Sequence, residues 1–322
     1  MYLFTNGANT NFKKHIRTQS KQALIEIDRL VDWAELVSPL ISVLSRKKEH
    51  LSAAGRKPHD LIVIVKCMIL QMLYGLSDPR LEEEIADRRS FQIFLGLTSG
   101  DSIPDETTIC RYRKLFVELG LGELLFDRFT EQLSSYGFIV GKGTIVDATL
   151  KEAQAKPSSG RDRDAGFARR GEKVTYGYKG HIGVDANTNV IHSVSFTPAN
   201  VHDTEEFEKL LLNTEEVVYG DKGYSSKKRK RELRYKGIHC AILDKGYRDT
   251  PLSPKQIKRN KRLSKIRSKV EQTFAFFKEV LQYRRCRYYD LARNRFQFIL
   301  SAIAYNLRRM ITLSRKFSMN TA

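Results

Sequence analysis

The apolar positions of the first 136 residues recur at helical spacing. From about Lys21 to Tyr136 they predict a series of helices separated at Pro58, Gly75 and Pro104. Asp105 is placed to cap the helix "ETTICRYRKLFVEL". Strand patterns are absent from this segment, so the N-terminal region is predicted to be all-helical.

The pattern changes at "YGFIVGKGTIVDATL", where short runs of β-forming residues begin. The segment "VTYGYKGHIGVDANTNVIHSVSFTPAN" contains two such runs around the turn-forming residues Asp185 to Asn189, which predicts a hairpin. Further strands are predicted at "EEVVYGDKGY" and "HCAIL", on either side of the basic helix "SSKKRKRELRYKG". Asp203 is interpreted as a helix N-cap with Glu206 as its capping-box partner.

The last part of the chain is predicted to contain a linker and two helices. Residues Asp244 to Asn260 resemble a linker, and helices are expected over Lys261 to Tyr283 and Asp290 to Ser314. The fold class is therefore mixed α/β, with a helical N-terminal domain over residues 1–138 and a mixed sheet flanked by helices over residues 139–322.

Composition restricts the cellular setting. The four cysteines have no CxxC spacing, so the sequence suggests neither a zinc site nor a disulfide framework. Residues 1–19 lack the apolar core of a signal peptide, and the longest apolar run, Leu61 to Tyr74, is too short to cross a bilayer. This run is interpreted as a buried helix, and a cytoplasmic location without membrane association is expected.

The positive charge is concentrated in the last third of the chain. The net charge is +19, yet residues 221–322 contain 28 lysines and arginines against 7 acidic residues, whereas the preceding 220 residues contain 28 against 30. Such a field favours binding to a polyanion. Aromatic residues interleave with arginines in "YRRCRYYDLARNRFQF", which favours nucleic acid over a membrane surface or a solvated basic face.

Two aspartates follow short β-forming runs. Asp147 comes after Ile145 and Val146, and Asp221 comes after "VVYG", so both are expected at strand ends. If the strands are neighbours, the carboxylates face each other across about 5 Å. Like charges so close are unfavourable without a cation between them, and Mg²⁺ prefers such hard oxygen ligands.

A third acid lies on the helix that follows the linker. Glu271 stands beside an apolar stripe, with Arg267 four residues before it and Lys278 two turns after it. One interpretation makes Glu271 a metal ligand and the two cations phosphate contacts. The other is an ordinary exposed ion pair between Arg267 and Glu271, and spacing alone does not decide between them.

The remaining acids and histidines have structural interpretations. Asp185 is explained as a turn residue and Asp203 as a helix cap. His181 and His202 are interpreted as packed or hydrogen-bonded histidines, because no second histidine stands at metal-ligand spacing.

Seven motifs occur in the order typical of one family: "LSDPRLEEEIADRRSFQIFLGL", "PDETTICRYRK", "VDATL", "YGYKGHIGVD", "TPANVHD", "VVYGDKGY" and "RSKVEQTFAFFK". In this the chain resembles the DDE transposases of bacterial insertion sequences, most closely the insertion sequence 5 group within the insertion sequence 4 superfamily. The resemblance extends over roughly Pro58 to Leu307.

The resemblance implies a ribonuclease H-like core in which Asp147, Asp221 and Glu271 bind two divalent metals, Mg²⁺ or Mn²⁺. The signature Tyr-x2-Arg-x3-Glu-x6-Lys of the superfamily falls on Arg267, Glu271 and Lys278. Its tyrosine position is occupied by Ser264, which leaves any contact of that tyrosine unassigned.

The resemblance also implies the reaction and the partners. We expect hydrolysis of phosphodiester bonds at the terminal inverted repeats of the element, then strand transfer of the 3′-hydroxyl into target DNA. The expected partners are double-stranded DNA and a second copy of the chain, in a homodimer or higher assembly on the bacterial nucleoid. The alternatives are a metal-dependent nuclease that does not join DNA and a non-catalytic DNA-binding derivative of a transposase.

Several basic side chains are candidates to hold DNA besides Arg267 and Lys278. Lys222 and Tyr224 follow Asp221 and are expected either to touch DNA or to pack. The basic helix offers Lys227, Lys228, Arg229, Lys230 and Arg231. In the N-terminal region, Arg111, Arg113 and Lys114 are candidates for base or backbone contacts, with solvated surface as the alternative.

Overall fold

The computed structural model describes residues 22–48, 59–98, 100–247 and 249–320. The N-terminal segment judged to lack a signal peptide and the separator Pro58 lie outside these ranges.

The N-terminal region consists of helices, as its apolar periodicity predicts. They are α1 (residues 22–30), α2 (Trp33–Lys48), α3 (Leu61–Tyr74), α4 (Asp78–Asp87), α5 (Arg89–Leu95), α6 (Glu106–Glu118) and α7 (Leu121–Ser135). Asp105 caps α6 by accepting a hydrogen bond from the amide of Thr108, which confirms its predicted role. Gly75 ends α3 in the left-handed conformation, where glycine carries no steric penalty.

Helix α3 is the buried helix that its apolar run predicts. Eleven of its 14 residues are buried, among them Lys66, whose ammonium group donates to Asp28 and to the carbonyl of Phe94. Among the described residues, no single helix is long and apolar enough to cross a membrane, although α3 and α4 pass that test as a pair bent by 101°.

A six-stranded mixed sheet follows. Its strands are β1 (Gly143–Glu152), β2 (Gly166–Arg170), β3 (Lys173–Asp185), β4 (Ile191–Pro198), β5 (Val217–Gly220) and β6 (His239–Ile242). Strand β3 pairs antiparallel with β1, β2 and β4, whereas β1, β5 and β6 run parallel. The mixed α/β class, with a helical N-terminal region and a sheet flanked by helices, is therefore confirmed.

The predicted hairpin is formed by β3 and β4. The buried carboxylate of Asp185 accepts hydrogen bonds from the amides of Asn187 and Thr188, and Asn189 completes the turn with a φ of 58°. The amides of Val140 and Gly141 also donate to Asp185, which ties the turn to the chain entering β1. Asp185 is thus a turn residue, as predicted.

The helices after the hairpin are α8 (Asp203–Glu206), α9 (Lys227–Tyr235), α10 (Pro254–Arg267), α11 (Lys269–Ala275) and α12 (Leu291–Asn320), and Phe276–Val280 forms a π-helical turn. The linker predicted to reach Asn260 is shorter than expected. Ser253 and Gln256 form a capping box, and Pro254 occupies the first turn, where its missing amide hydrogen costs nothing.

The capping role predicted for Asp203 is wrong. The N-cap of α8 is His202, whose side chain accepts from the amide of Thr204. Glu206 is buried and accepts hydrogen bonds from Ser195 and Lys209 instead of closing a capping box.

Helix α12 packs on both the N-terminal helices and the sheet. The ring of its residue Phe296 packs at a tilt against Phe116 of α6, while Phe298 contacts Phe196 of β4. One apolar core therefore runs from the N-terminal helices through α12 to one face of the sheet, and a smaller core that includes Val146 and Phe207 lies apart from it.

Candidate functional site

Asp147 lies in the middle of β1 and not at its end, because the strand continues to Glu152. The expectation of a strand end is therefore wrong for this residue. The reason is that β3 pairs with β1 beyond Asp147, with Asp147 opposite Ile182 and Glu152 opposite Gly177. Strand β5, on the other side, pairs with β1 only up to Val146. Beyond that point, this edge of β1 pairs with no other strand of the described chain, and only Glu152 at its end bridges to Arg285.

Asp221 leaves the sheet beside Asp147. Strand β5 runs parallel to β1, and the last pair in register is Val146 with Gly220. Asp147 and Asp221 are the next residues on the two neighbouring strands, which lie about 5 Å apart. The two strands that precede Asp147 and Asp221 are therefore neighbours in the sheet, which is the condition that the sequence did not settle. In the described part of the chain, no hydrogen bond to the Asp221 carboxylate is found.

Arg267 connects the third acid to Asp147. Its Nη1 lies 3.2 Å from Asp147 Oδ2, and its Nη2 lies 2.7 Å from Glu271 Oε1. The ion pair of Arg267 with Glu271 is present, as the structural interpretation expected. The same guanidinium also reaches an acid 120 residues away in sequence, which an ordinary exposed helical pair does not do.

The apolar stripe beside Glu271 holds this helix in place. Val270, Phe274, Phe277 and Leu281 are buried, and Ile266 packs against them while partly exposed. Glu271 itself is 60% exposed, so its carboxylate points away from the stripe toward solvent.

The environment of Asp147 disfavours its charged form. Burial raises the pKa of Asp147 to about 6, and the nearby charges of Asp221 and Asp203 act in the same direction. The amide of Ala148 and the guanidinium of Arg267 oppose this shift, but burial has the larger effect. A carboxylate with this pKa is poised to accept a positive charge near neutral pH.

The side chains at this site are of the chemical type that binds a divalent cation. Asp147, Asp221 and Glu271 supply carboxylate oxygens, the ligands that Mg²⁺ prefers, and burial of Asp147 beside Asp221 is unfavourable without a countercharge. Across residues 22–48, 59–98, 100–247 and 249–320, however, no three acidic, histidine or cysteine side chains are close enough to hold one ion together. The guanidinium of Arg267 supplies the countercharge to both Asp147 and Glu271 in this structure.

Asp203, which the sequence pattern assigned to a helix cap, lies near this site. Asp203 forms an ion pair of 2.8 Å with Lys179 of β3 and lies near enough to raise the pKa of Asp147. The signal was present in "TPANVHD", but the apparent helix start suggested a simpler role for Asp203. His181 is buried and hydrogen-bonded to Thr197, as predicted.

Tyr224 does not reach the surface, which contradicts its interpretation as a DNA contact and supports packing. It is 2% exposed and its ring packs on Phe207. Arg229 is likewise engaged within the protein, since it donates to the carbonyls of Tyr224 and Thr204 and its guanidinium lies 4.3 Å from the ring centre of Phe207. Arg229 therefore fastens α8 to the turn after Asp221, and its assignment to DNA is corrected.

The other predicted DNA contacts divide by exposure. Arg113 is buried against Asp78 and is not presented to a ligand, whereas Lys230 is partly exposed and pairs at 2.7 Å with the largely buried Asp244. The side chains that remain exposed are Lys222, Lys227, Lys228, Arg231 and Lys278, together with Arg111 and Lys114 in the N-terminal region.

Comparison with known proteins identifies the family. A family model described as "Transposase DDE domain" matches residues 140–307, and a second family model, described as "Transposase domain (DUF772)", matches residues 11–115. Among solved structures, a piggyBac transposase synaptic complex with hairpin DNA is similar at a TM-score of 0.41 and 10% identity, covering 91% of this chain and 76% of that chain. A pre-cleavage Mos1 transpososome is similar at a TM-score of 0.20 and 10% identity, and the match covers 94% of this chain and 96% of that chain.

Proposed function

Because the chain belongs to the DDE transposase family and is a DNA transposase, we propose that Asp147, Asp221 and Glu271 are its catalytic acids. The reaction is cleavage of phosphodiester bonds at the ends of an insertion sequence, followed by transfer of the freed 3′-hydroxyl into target DNA. We place the chain in the insertion sequence 5 group, on the motifs from "LSDPRLEEE" to "RSKVEQTFAFFK".

The observation that carries this proposal is the register of β1 and β5. It sets Asp147 and Asp221 side by side at the open edge of β1, where Arg267 also brings in Glu271. Acids that served only the fold would be expected to accept hydrogen bonds from nearby backbone, as Asp185 does four times over. Asp147 accepts only one such bond, from Ala148, in the described chain.

In this proposal the three carboxylates hold two divalent cations, Mg²⁺ or Mn²⁺. When bound, such cations supply Lewis-acid activation of the attacking oxygen and stabilise the departing one. Asp147 and Asp221 provide ligands from the rigid sheet, and Glu271 provides one from the helix. The sheet thus fixes the ligands in space while the helix can adjust.

The basic side chains hold the DNA. Once Arg267 leaves the acids, its guanidinium is free to bind a phosphate near the scissile bond in a bidentate manner. Lys278, two turns after Glu271, binds a phosphate as a point charge. The exposed cations of α9, Lys227, Lys228 and Arg231, bind flanking duplex.

We further propose a division at residues 138/139 into a helical domain that recognises ends or pairs protomers and a catalytic domain. The working form is a homodimer or higher assembly on double-stranded DNA that contains the terminal inverted repeats. The location is the bacterial cytoplasm, at the nucleoid.

The experiment that tests the site compares the parent with Asp147→Asn, Asp221→Asn and Glu271→Gln. Each protein is incubated with Mg²⁺ or Mn²⁺ and the DNA that flanks its own gene, and cleavage is followed by strand-resolved electrophoresis. We expect each variant to lose at least about a thousandfold in cleavage rate, since each removes a ligand of an essential cation. Glu216→Gln, at an exposed acid just before β5, is the matched control and should cut like the parent. If the three variants also cut like the parent, the site assignment is wrong.

A second assay separates a transposase reaction from simple hydrolysis. Duplexes that already carry the free 3′-hydroxyl are supplied with a supercoiled target plasmid. Joined products support strand transfer, whereas cleavage without joined products supports the nuclease alternative. If the parent binds DNA but neither cleaves nor joins it, the result favours the non-catalytic derivative.

A further inference from the structure

Besides the site formed by the three acids, a basic site lies further along β1, toward its C-terminal end. It is a cavity of about 350 Å³, which we call the basic pocket. Its lining residues come from β1, β3, the π-helical turn and the segment that follows this turn: Leu150, Glu152, Lys173, Thr175, Lys278 and Arg284. Three cationic side chains and one acidic side chain therefore surround a space that is large enough for several water molecules.

Two elements independently set how far the basic pocket lies along β1 from the proposed catalytic acids. Leu150 follows Asp147 by three residues on β1, a rise of about 10 Å along the strand, and this odd spacing directs the two side chains to opposite faces at the edge of the sheet. Lys278 follows Glu271 by seven residues on the helix, also about 10 Å. At about 3.4 Å of helix axis per nucleotide, a duplex whose axis follows β1 covers this separation in about three nucleotides.

The pocket is held open by its own framework. Cys286 donates its backbone amide to the carbonyl of Glu152, so the segment containing Arg284 is anchored alongside the end of β1. Arg285 adds hydrogen bonds to the carbonyls of Ala153 and Gln154. The cations therefore project from fixed backbone and not from free loops.

The charges in the pocket are available to a ligand. Lys173 pairs with Glu152 at 3.5 Å and Arg284 pairs with Glu279, and all four side chains are more than half exposed. Exposed pairs of this kind contribute roughly 0–1 kcal/mol, so a phosphate can replace them at small cost. In the described part of the chain, Lys278 forms no ion pair.

We propose that the basic pocket binds a phosphate of the same DNA strand that is cleaved, about three nucleotides from the scissile bond. Lys173, Arg284 and Lys278 neutralise it, and the hydroxyl of Thr175 donates a hydrogen bond. This inference rests on the proposed function, since it takes the scissile phosphate to lie at Asp147, Asp221 and Glu271. The pocket fixes the direction in which the strand crosses β1.

The chain provides a matched control for this proposal. A second exposed pair, Lys142 with Glu216 at 3.9 Å, lies at the opposite end of β1, about 30 Å from the Lys173 and Glu152 pair. Equivalent substitutions in the two pairs change the net charge of the protein equally. They differ only in whether the charge faces the pocket.

The experiment measures binding of an arbitrary 20-base-pair duplex without divalent metal, by fluorescence anisotropy between 50 and 200 mM NaCl. We expect Lys173→Gln and Arg284→Gln each to weaken binding about threefold to tenfold at 100 mM and to lower the slope of log K against log salt by about 0.9. Glu152→Gln should strengthen binding about threefold, because it removes the acid that competes with the phosphate. Lys142→Gln and Glu216→Gln should each change binding by less than about twofold.

Equal effects at the two ends of β1, or no effect of the pocket variants, would overturn the proposal. Circular dichroism melting of each variant confirms folding, which these exposed positions should not disturb. Because the assay involves no cleavage, its result is independent of the catalytic variants. If the pocket variants bind DNA like the parent while the acid variants do not cleave, the pocket proposal fails and the proposed function stands. If the pocket variants bind DNA more weakly while the acid variants cleave like the parent, the pocket is a DNA-binding groove and the proposed chemistry is wrong.

Discussion

Arg267 lies against Asp147, with Nη1 3.2 Å from Oδ2, although the two residues are 120 positions apart in the chain. The same guanidinium holds Glu271. Under the proposed function, a divalent cation and Arg267 therefore compete for the same two carboxylates. By linkage, an interaction that stabilises the metal-free site lowers the affinity of that site for metal.

Arg267→Gln should separate metal binding from catalysis. Removal of the competing cation should raise the affinity for Mn²⁺ about fivefold, the effect of about 1 kcal/mol from a partly buried ion pair. Cleavage should fall by at least about tenfold, since the variant also loses a phosphate contact. Isothermal titration calorimetry and the cleavage assay measure the two effects. Lys265→Gln, an exposed neighbour on α10, should change neither, and weaker Mn²⁺ binding by Arg267→Gln would contradict the competition.

Asp147→Asn should stabilise the metal-free protein near neutral pH. The pKa of Asp147 is raised to about 6 by burial, so the folded chain holds this proton more tightly than the unfolded chain. The folded state therefore loses stability as the pH rises from about 4 to about 6, and the ionised carboxylate remains a burden at pH 7. We expect the variant to be about 1–2 kcal/mol more stable at pH 7 and to lose this advantage near pH 4. Urea unfolding at both pH values tests this, and an advantage that grows at low pH would contradict it.

The same pKa predicts how metal binding depends on pH. The carboxylate of Asp147 must lose its proton to bind a cation, so Mn²⁺ affinity should fall about tenfold for each pH unit below about 6. Above pH 7 it should be nearly constant. Calorimetric titrations from pH 5 to pH 8 measure this profile. A profile without a break between pH 5 and pH 7 would show that Asp147 is not a ligand.

Lys151 should give the protein a second pH dependence, of opposite sign. It is fully buried on β1, donates to the carbonyl of Tyr283, and burial lowers its pKa to about 7. Between pH 7 and pH 9 the unfolded chain keeps a proton that the folded chain has lost, so stability rises with pH. The parent should gain about 2 kcal/mol relative to Lys151→Met over this range. Lys142→Met should follow the parent, and parallel curves for Lys151→Met and the parent would refute the assignment.

Arg113 should be needed for stability and not for DNA binding. It is buried, donates to Asp78 and to Gln71, and lies 5.6 Å from the ring centre of Tyr288. Arg113→Ala removes the guanidinium from Asp78 and Gln71 and leaves only the hydrogen bond between these two side chains, which should cost about 3 kcal/mol of unfolding free energy. Lys114→Ala, at an exposed neighbour, should change stability by less than about 0.5 kcal/mol. Denaturant unfolding tests both, and equal losses would contradict the distinction.

Local patterns predicted the elements well because they report which side of a segment meets the core. The stripe through Val270, Phe274 and Phe277 and the turn at Asp185 were both readable from residue type and spacing. Element ends were less accurate. Asp147 was expected at a strand end because β-forming residues thin out after it, yet pairing with β3 extends the strand to Glu152. A ladder of hydrogen bonds to a distant strand overrides local preference.

Residue type and short-range spacing were enough to predict the order of the helices and strands, and the order of the family motifs marked Asp147, Asp221 and Glu271 as the candidate acids. The folded chain was needed to show that Arg267 joins Asp147 to Glu271, that Tyr224 and Arg229 are engaged inside the protein, and that a basic pocket lies beyond the acids. The physical reason is that charge and burial at a position depend on side chains brought together from distant parts of the chain. Neither quantity exists until the sheet and its helices have assembled.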